Sequence, residues 1–197
     1  MKFTGERVVP SEMANDPLTY QQHLMRYAWA LRFCVGSAVL DAACGAGYGL
    51  DLISGVARAV IGFDNNLDAL DYAKKMYKFS NRPSMFLQVD LEKVDFCNFF
   101  GQNPVDCVVS FETIEHLDNP DFFLENVKNI LLPGQRFIFS IPNASAVSFH
   151  KKIYDLAGAK KLISRHFKNV EWYGQEPDYI GDISEGSDFF LGVATKE

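Results

Sequence analysis

The feature that most constrains this chain is a regular exchange between two periodicities. Short runs rich in β-branched and aromatic residues fall at 38–40, 59–63, 85–89, 105–111 and 136–141. Between them lie stretches with helical spacing of apolar residues, at 48–56, 67–78 and 120–132, with a weaker one at 91–100. Strands that alternate with helices of this length form βαβ units, because parallel neighbours need a crossover and the helix supplies it. A parallel sheet is therefore expected. The tail breaks the rhythm: after a helical stretch at 157–167, strands at 170–173 and 189–194 have only the polar residues 175–188 between them. Two strands with no helix between them are expected to pair antiparallel at the sheet's edge.

Ahead of the first strand, Asp16-Pro17 reads as a helix start, with Asp16 as N-cap and Pro17 at the first helical position, where its missing N–H costs nothing. Tyr20, Leu24, Tyr27, Ala28 and Leu31 then follow on one helical face. Residues 1–15 show no period and read as an irregular arm. At 197 residues, with no composition shift that would mark a linker, the chain reads as a single domain spanning residues 1–197.

Several function classes drop out. The formal net charge of −6 leaves no broad basic surface to neutralise a phosphate backbone, so nucleic acid is not expected as a partner. No run approaches the unbroken apolar length of a membrane helix, so no membrane association is expected. Cys34, Cys44, Cys97 and Cys107 show no C-x-x-C spacing, and no apolar leader follows Met1, which reads as a reducing, cytoplasmic setting. The 17 Phe residues imply a thick core or an aromatic-lined pocket, two alternatives that composition leaves open.

The most informative segment is Asp41-Ala-Ala-Cys-Gly-Ala-Gly-Tyr-Gly49, which leaves a strand and opens a helix. Glycines there let the backbone turn sharply and approach a ligand at the carboxyl edge of the sheet. A dinucleotide fingerprint starting at Gly45 would need its third glycine where Leu50 stands, and the Gly-Lys-Ser/Thr of a P-loop is absent. Asp64 ends the second strand, where a carboxylate can accept hydrogen bonds from a ribose diol, and Asp90 follows the third. Taken singly, the loop is compatible with a bare strand-to-helix turn and each acid with a helix N-cap. Acids ending three consecutive strands point to a ligand.

These pieces resemble the S-adenosylmethionine (SAM)-dependent methyltransferases with a Rossmann-like fold. The glycine segment, Ile61-Gly-Phe-Asp64, Val89-Asp90-Leu91, Val108 to Leu117, and Leu131-Leu-Pro-Gly134 leading to Asn143 carry the resemblance. It implies an α/β fold whose seven-stranded sheet has the order 3-2-1-4-5-7-6, the seventh strand antiparallel and helices on both faces. It also implies SAM as cofactor, with Gly45 and Gly47 facing its methionine part, Asp64 the ribose, and Asp90 with Leu91 the adenine. Asp41, Ala42, Asn65 and Phe111 complete the implied cofactor set. The arm Phe3-Thr-Gly-Glu-Arg-Val-Val-Pro10, with His23-Leu-Met-Arg26-Tyr27, resembles small bacterial-type methyltransferases associated with sugar modification. In that resemblance residues 1–34 cover the cofactor site and Arg26 meets the methionine carboxylate; a surface salt bridge is the plain alternative for Arg26. His23 reads as a helix-face residue.

After the fourth strand comes Phe111-Glu112-Thr-Ile-Glu115-His116-Leu117. On a helical turn, Glu112, Glu115 and His116 at i, i+3 and i+4 share a face, which is expected to lie beside the cofactor's methyl group. Carboxylates with an imidazole suit a proton acceptor, or a divalent metal such as Mg, Mn or Zn. The turn is similar to the metal-binding turn of small-RNA 2′-O-methyltransferases and ubiquinone-pathway O-methyltransferases, and His150 is the candidate for a further ligand. Glu115, His116 and His150 are the candidate catalytic residues; these with Glu112 are the candidate metal ligands. Other methyltransferases use such a turn without metal, to shape the pocket. The expected acceptor is a hydroxyl of a small molecule or saccharide, and the protein a monomer or homodimer. RNA 2′-O-methylation and a non-catalytic SAM-binding partner role are the alternatives.

Overall fold

The computed structural model describes residues 8–11, 16–79, 83–101, 104–144 and 150–197. The chain divides into two compact units, Met1–Leu91 and Glu92–Glu197, and no Gly/Pro/Ser-rich linker marks the division. The expectation of an irregular arm falls mostly outside the described residues.

In the first unit, helix α1 (Pro17–Cys34) starts as its sequence dictates: the Asp16 side chain accepts the Thr19 N–H at 3.2 Å, and Pro17 occupies the first turn. Its buried residues are Gln22, Arg26, Tyr27, Ala30 and Cys34, whereas Ala28 is exposed and Leu24 and Leu31 only half-buried. The helix therefore presents a different stripe from the apolar one the sequence suggests. Two polar side chains occupy it. Strands β1 (Ala38–Ala42), β2 (Ala59–Asp64) and β3 (Ser84–Gln88) run parallel in the order β3-β2-β1, with helices α2 (Tyr48–Ser54) and α3 (Leu67–Met76) between them in sequence. Register pairs Ala42 with Phe63 and Asp64 with Gln88, so the three strands end close together at their carboxyl edges. Residue by residue β1 is buried, as a central parallel strand should be.

The second unit carries α4 (Phe96–Phe100), β4 (Cys107–Ser110), a single 3₁₀ turn (Ile114–His116), α5 (Pro120–Ile130), β5 (Arg136–Pro142), α6 (Leu156–Ile163), β6 (Asn169–Gln175), β7 (Ile180–Asp182) and β8 (Phe189–Thr195). Its strand order is β4-β5-β8-β6-β7. Strand β4 pairs parallel with β5, while β8 is antiparallel to both β5 and β6, so the tail strands pair as expected. The strand count is corrected from seven to eight. Strand β7 lies inside the stretch read as a polar loop, and it pairs antiparallel with β6 through Tyr173↔Asp182 to Gln175↔Ile180. Three residues, Ile180-Gly181-Asp182, with one apolar side chain among them, carry too little apolar pattern for sequence periodicity to register.

Four phenylalanines of this unit resolve as core rather than pocket lining. Phe123 meets Phe96 at a centroid distance of 6.3 Å and Phe137 at 6.1 Å. Phe137 in turn stacks on Phe139 at 5.0 Å, and Phe139 meets Trp172 edge-on. All four phenylalanines are fully buried, each contributing roughly 1.5–3 kcal/mol through burial. No helix of the described residues is long and apolar enough to cross a membrane.

Candidate functional site

In the first unit the glycine loop is built from left-handed backbone. Ala43, Gly45 and Gly47 have φ of 71°, 53° and 83°. Ala43 is not glycine, and a left-handed conformation costs an L residue roughly 1–2 kcal/mol, so the surroundings must hold it. They do. Cys44 N–H donates to the Phe63 carbonyl at 2.8 Å and Gly47 N–H to the Cys44 carbonyl at 3.0 Å. Asp64 ties the loop to the end of β2: its Oδ2 accepts from Gly45 N–H at 2.9 Å and its Oδ1 from Asn66 N–H at 2.8 Å. Asp64 is thus no N-cap; Asn66 caps α3, accepting from Ala69 N–H at 2.9 Å.

The two loop glycines have different tasks. A Cβ on Gly45 would meet nothing within 4 Å, so that position borders open space. A Cβ on Gly47 would stand 2.6 Å from Ala73 Cβ and 3.1 Å from the Phe86 ring. A side chain at Gly47 would therefore collide with the protein's own α3 and β3 whatever the loop's backbone faces. The cleaner probe of the loop is Gly45.

Asp41 is fully buried on β1, and its Oδ2 accepts the Tyr27 hydroxyl of α1 at 3.0 Å. Its Oδ1 accepts no hydrogen bond among the described residues. Burial pushes this carboxyl up to about 7; the Tyr27 hydrogen bond opposes the rise and the Asp64 charge adds to it. A folded-state value above the ordinary 3.8 means that the neutral form is favoured in the fold. Stability linked to Asp41 is then complete below the ordinary value, declines as pH rises, and is lost through about 7, at roughly 1.4 kcal/mol per unit of separation. Ligand-free Asp41→Asn protein is expected to melt above the parent at pH 8 and level with it at pH 4. A thermal-melt difference independent of pH would show that the fold does not raise the Asp41 pKa.

Arg26 is fully buried, and His23 beside it on α1 has its Nδ1 2.9 Å from the Tyr48 hydroxyl. Burial, then the Arg26 charge, hold His23 well below the ordinary imidazole range. Tyr48, next after Gly47, also meets Tyr20 and Tyr27 edge-on. Helix α1 therefore docks on the loop through an aromatic and hydrogen-bonded group. Sequence reasoning found Arg26 but not the His23–Tyr48 and Tyr27–Asp41 pairs, because both link positions distant in the chain. Ala42 and Leu91 are buried, Asp90 is half-buried and Asn65 exposed, its carbonyl accepting from Gln88 Nε2 at 3.1 Å.

The second unit brings together Glu115, His116 and His150, each offering one ligand atom within 4.8 Å of the others. Glu115 is fully buried, and its Oε1 lies 3.7 Å from His116 Nε2. That distance is electrostatic contact rather than a hydrogen bond. His150 joins because the Lys151 and Lys152 N–H groups donate to the Glu115 carbonyl at 2.9 and 3.0 Å, bringing its ring to 4.9 Å from that of His116, edge to face. Lys151 Nζ is anchored on Asp118 at 2.6 Å. Burial and the Glu115 charge raise the nearby Tyr154 phenol to about 12. Phe111, implied as a cofactor contact, is buried in this unit.

Glu112 does not join the cluster. The expected i, i+3, i+4 face requires Glu112 to begin a helical turn, yet its φ is 51° and only Ile114–His116 is helical. Its Oε1 accepts from Ser140 Oγ at 2.9 Å.

The comparisons with known proteins follow this geometry. Residues 40–139 match the family model described as a methyltransferase domain. The chain is 33% identical over 73% of its length to a probable SAM-dependent methyltransferase of Mycolicibacterium smegmatis, of which the match spans 52%. It is 31% identical over 58% of its length to the mitochondrial ubiquinone biosynthesis O-methyltransferase of Dictyostelium discoideum, covering 38% of that protein. Among solved structures, the N-methyltransferase NodS of Bradyrhizobium japonicum in complex with S-adenosylhomocysteine superposes with a TM-score of 0.71 at 15% identity, over 95% of this chain and 91% of that one. The chain belongs to the methyltransferase-domain family and has the Rossmann-like fold of the methyltransferases it superposes on. It spans about half the length of the probable SAM-dependent methyltransferases it matches.

The residues present fit that cofactor. Open space at Gly45 admits a ligand against the backbone, and the unbonded buried Oδ1 of Asp41 suits a cationic group. One carboxylate and two imidazoles are a donor set that could hold a divalent ion.

Proposed function

We propose that this chain transfers a methyl group from SAM to a hydroxyl of a small molecule or saccharide. Bound SAM supplies a methyl already activated on a sulfonium, so the protein's task is alignment and proton management. In this reading Asp64 holds the ribose hydroxyls, Asp90 and Leu91 the adenine, and Gly45, Gly47, Asp41, Ala42 and Arg26 the methionine part, with Asn65 and Phe111 flanking. The observation that carries the acceptor class is the buried Glu115 beside His116 and His150. An alcohol must lose a proton as it attacks, and an amine acceptor needs less help. Imidazoles backed by a buried carboxylate are suited to take that proton. The resemblance to a ubiquinone biosynthesis O-methyltransferase agrees with a hydroxyl acceptor.

The test is incubation with methyl-labelled SAM and a panel of phenols, saccharides, amines and structured RNA. Label is expected in small-molecule ethers; label confined to amines would sink the hydroxyl reading. Label on RNA 2′-hydroxyls would favour the RNA alternative, against which the net charge of −6 weighs. SAM binding with no turnover, together with a stable complex with a second protein, would favour a non-catalytic role.

A second reading rests on the same three side chains. Glu115, His116 and His150 would be the residues to hold Mg, Mn or Zn, and such an ion would supply Lewis acidity that lowers the pKa of an acceptor hydroxyl. Here too the acceptor is a hydroxyl.

A further inference from the structure

We infer that Glu112 and Ser140 form a two-way clamp that positions the turn bearing Glu115 and His116, and that Glu112 does not itself touch the reacting groups. The inference rests on the reading that Glu115, His116 and His150 manage the acceptor's proton.

Glu112 stands two residues past the end of β4 and sits at φ 51°, a left-handed conformation unfavourable for a residue with a Cβ. Such a residue persists only where its surroundings over-determine it. Among the described residues, the Ser140 hydroxyl is hydrogen-bonded to both the backbone and the side chain of Glu112. Ser140 Oγ accepts the Glu112 backbone N–H at 3.0 Å and donates to the Glu112 carboxylate at 2.9 Å. A serine hydroxyl has one donor and two acceptor sites, so both bonds form at once and close a ring through a single residue. Ser140 is fully buried in β5, which is paired to β4 on one side and β8 on the other, so the anchor is rigid. A bond to a charged carboxylate is also the stronger kind.

The clamp has a geometric consequence. The left-handed residue bends the chain just after β4. Thr113 Oγ1 then bonds the Phe111 carbonyl at 3.2 Å and His116 N–H the Thr113 carbonyl at 3.0 Å, so the single 3₁₀ turn starts where Glu112 releases it. That turn buries Glu115 and leaves His116 partly open beside His150. With Glu112 in right-handed helical backbone, Glu112, Glu115 and His116 would share one face and the cluster would be composed differently.

The test uses the full chain with Ser140→Ala, Ser140→Thr, Glu112→Ala, Glu112→Gln and Glu115→Gln. The measurements are calorimetric SAM affinity, kcat and KM with whichever acceptor the panel yields, the imidazole NMR resonances of His116 and His150, and Mn²⁺ titration. Ser140→Ala and Glu112→Ala are expected to keep SAM affinity, to lower kcat by about 10²-fold with little change in KM, and to collapse the mutual ring-current shifts of the two imidazoles. Ser140→Thr keeps the hydroxyl and is expected to retain both kcat and the shifts. Glu112→Gln still accepts from Ser140 and should fall between. Parental imidazole resonances in Ser140→Ala would overturn the clamp. So would loss of Mn²⁺ binding in Glu112→Gln as large as in Glu115→Gln, with Ser140→Ala unaffected, since Glu112 would then be a ligand. Full turnover by Glu115→Gln would instead sink the acid–base reading, and the imidazole shifts would still report on the clamp.

Discussion

Replacing His116 with alanine is expected to lower turnover on a hydroxyl acceptor by roughly 10²- to 10⁴-fold while SAM affinity stays at the parental level. The separation follows from the chain's organisation. The groups proposed to hold SAM, Phe111 apart, lie in residues 1–91, whereas Glu115, His116 and His150 lie in residues 92–197. The imidazole is 23% exposed and can be removed without opening the core, whereas the Glu115 side chain, only 1% exposed, cannot. Glu115→Gln keeps the volume and removes the charge that favours a protonated imidazole at 3.7 Å, so a smaller loss is expected, on the order of 10-fold, with a fold that melts near the parent. Turnover under single-turnover conditions, beside SAM calorimetry, measures both. The metal reading parts from this at chelation: if Glu115, His116 and His150 hold an ion, chelator abolishes turnover and Mg²⁺, Mn²⁺ or Zn²⁺ restores it. If His116 is a plain base, chelator changes nothing. Parental turnover by His116→Ala would remove the cluster from the chemistry in both forms.

Much of this arrangement was legible in the sequence because it is local. Short β-branched and aromatic runs and helical spacing marked the strands and most helices, and the glycines with Asp41 and Asp64 stand at strand ends that any parallel sheet brings together. What escaped is non-local. The Tyr27–Asp41 and His23–Tyr48 pairs depend on how α1 docks, and α1 buries Gln22 and Arg26, which hydrophobic periodicity cannot anticipate. Strand β7 has three residues and forms because β6 offers it an edge. Glu112 was misplaced because spacing arguments assume a continuous helix, whereas a positive φ between β4 and the turn breaks the phase. Backbone conformation at a single residue, held by a serine 28 positions away, decides which side chains share the cluster.

Asp64→Ala is expected to weaken SAM binding by roughly 1.5–3 kcal/mol, about 10- to 150-fold, because hydrogen bonds to a charged group are lost. Two mechanisms contribute, since the same carboxylate holds Gly45 N–H and Asn66 N–H. Its removal frees the glycine loop as well as the ribose. A ligand lacking one ribose hydroxyl separates them. If Asp64 meets the diol, 2′-deoxy-S-adenosylhomocysteine binds the parent less tightly than S-adenosylhomocysteine, and that discrimination disappears in Asp64→Ala; the pair of ligands and the pair of proteins form a cycle whose coupling term isolates the contact. If Asp64 only braces the loop, both ligands weaken by the same factor and discrimination persists. Unchanged affinity for SAM in a folded Asp64→Ala protein would remove the cofactor assignment altogether, because a carboxylate that holds the loop and faces the ribose cannot be deleted without cost to the ligand.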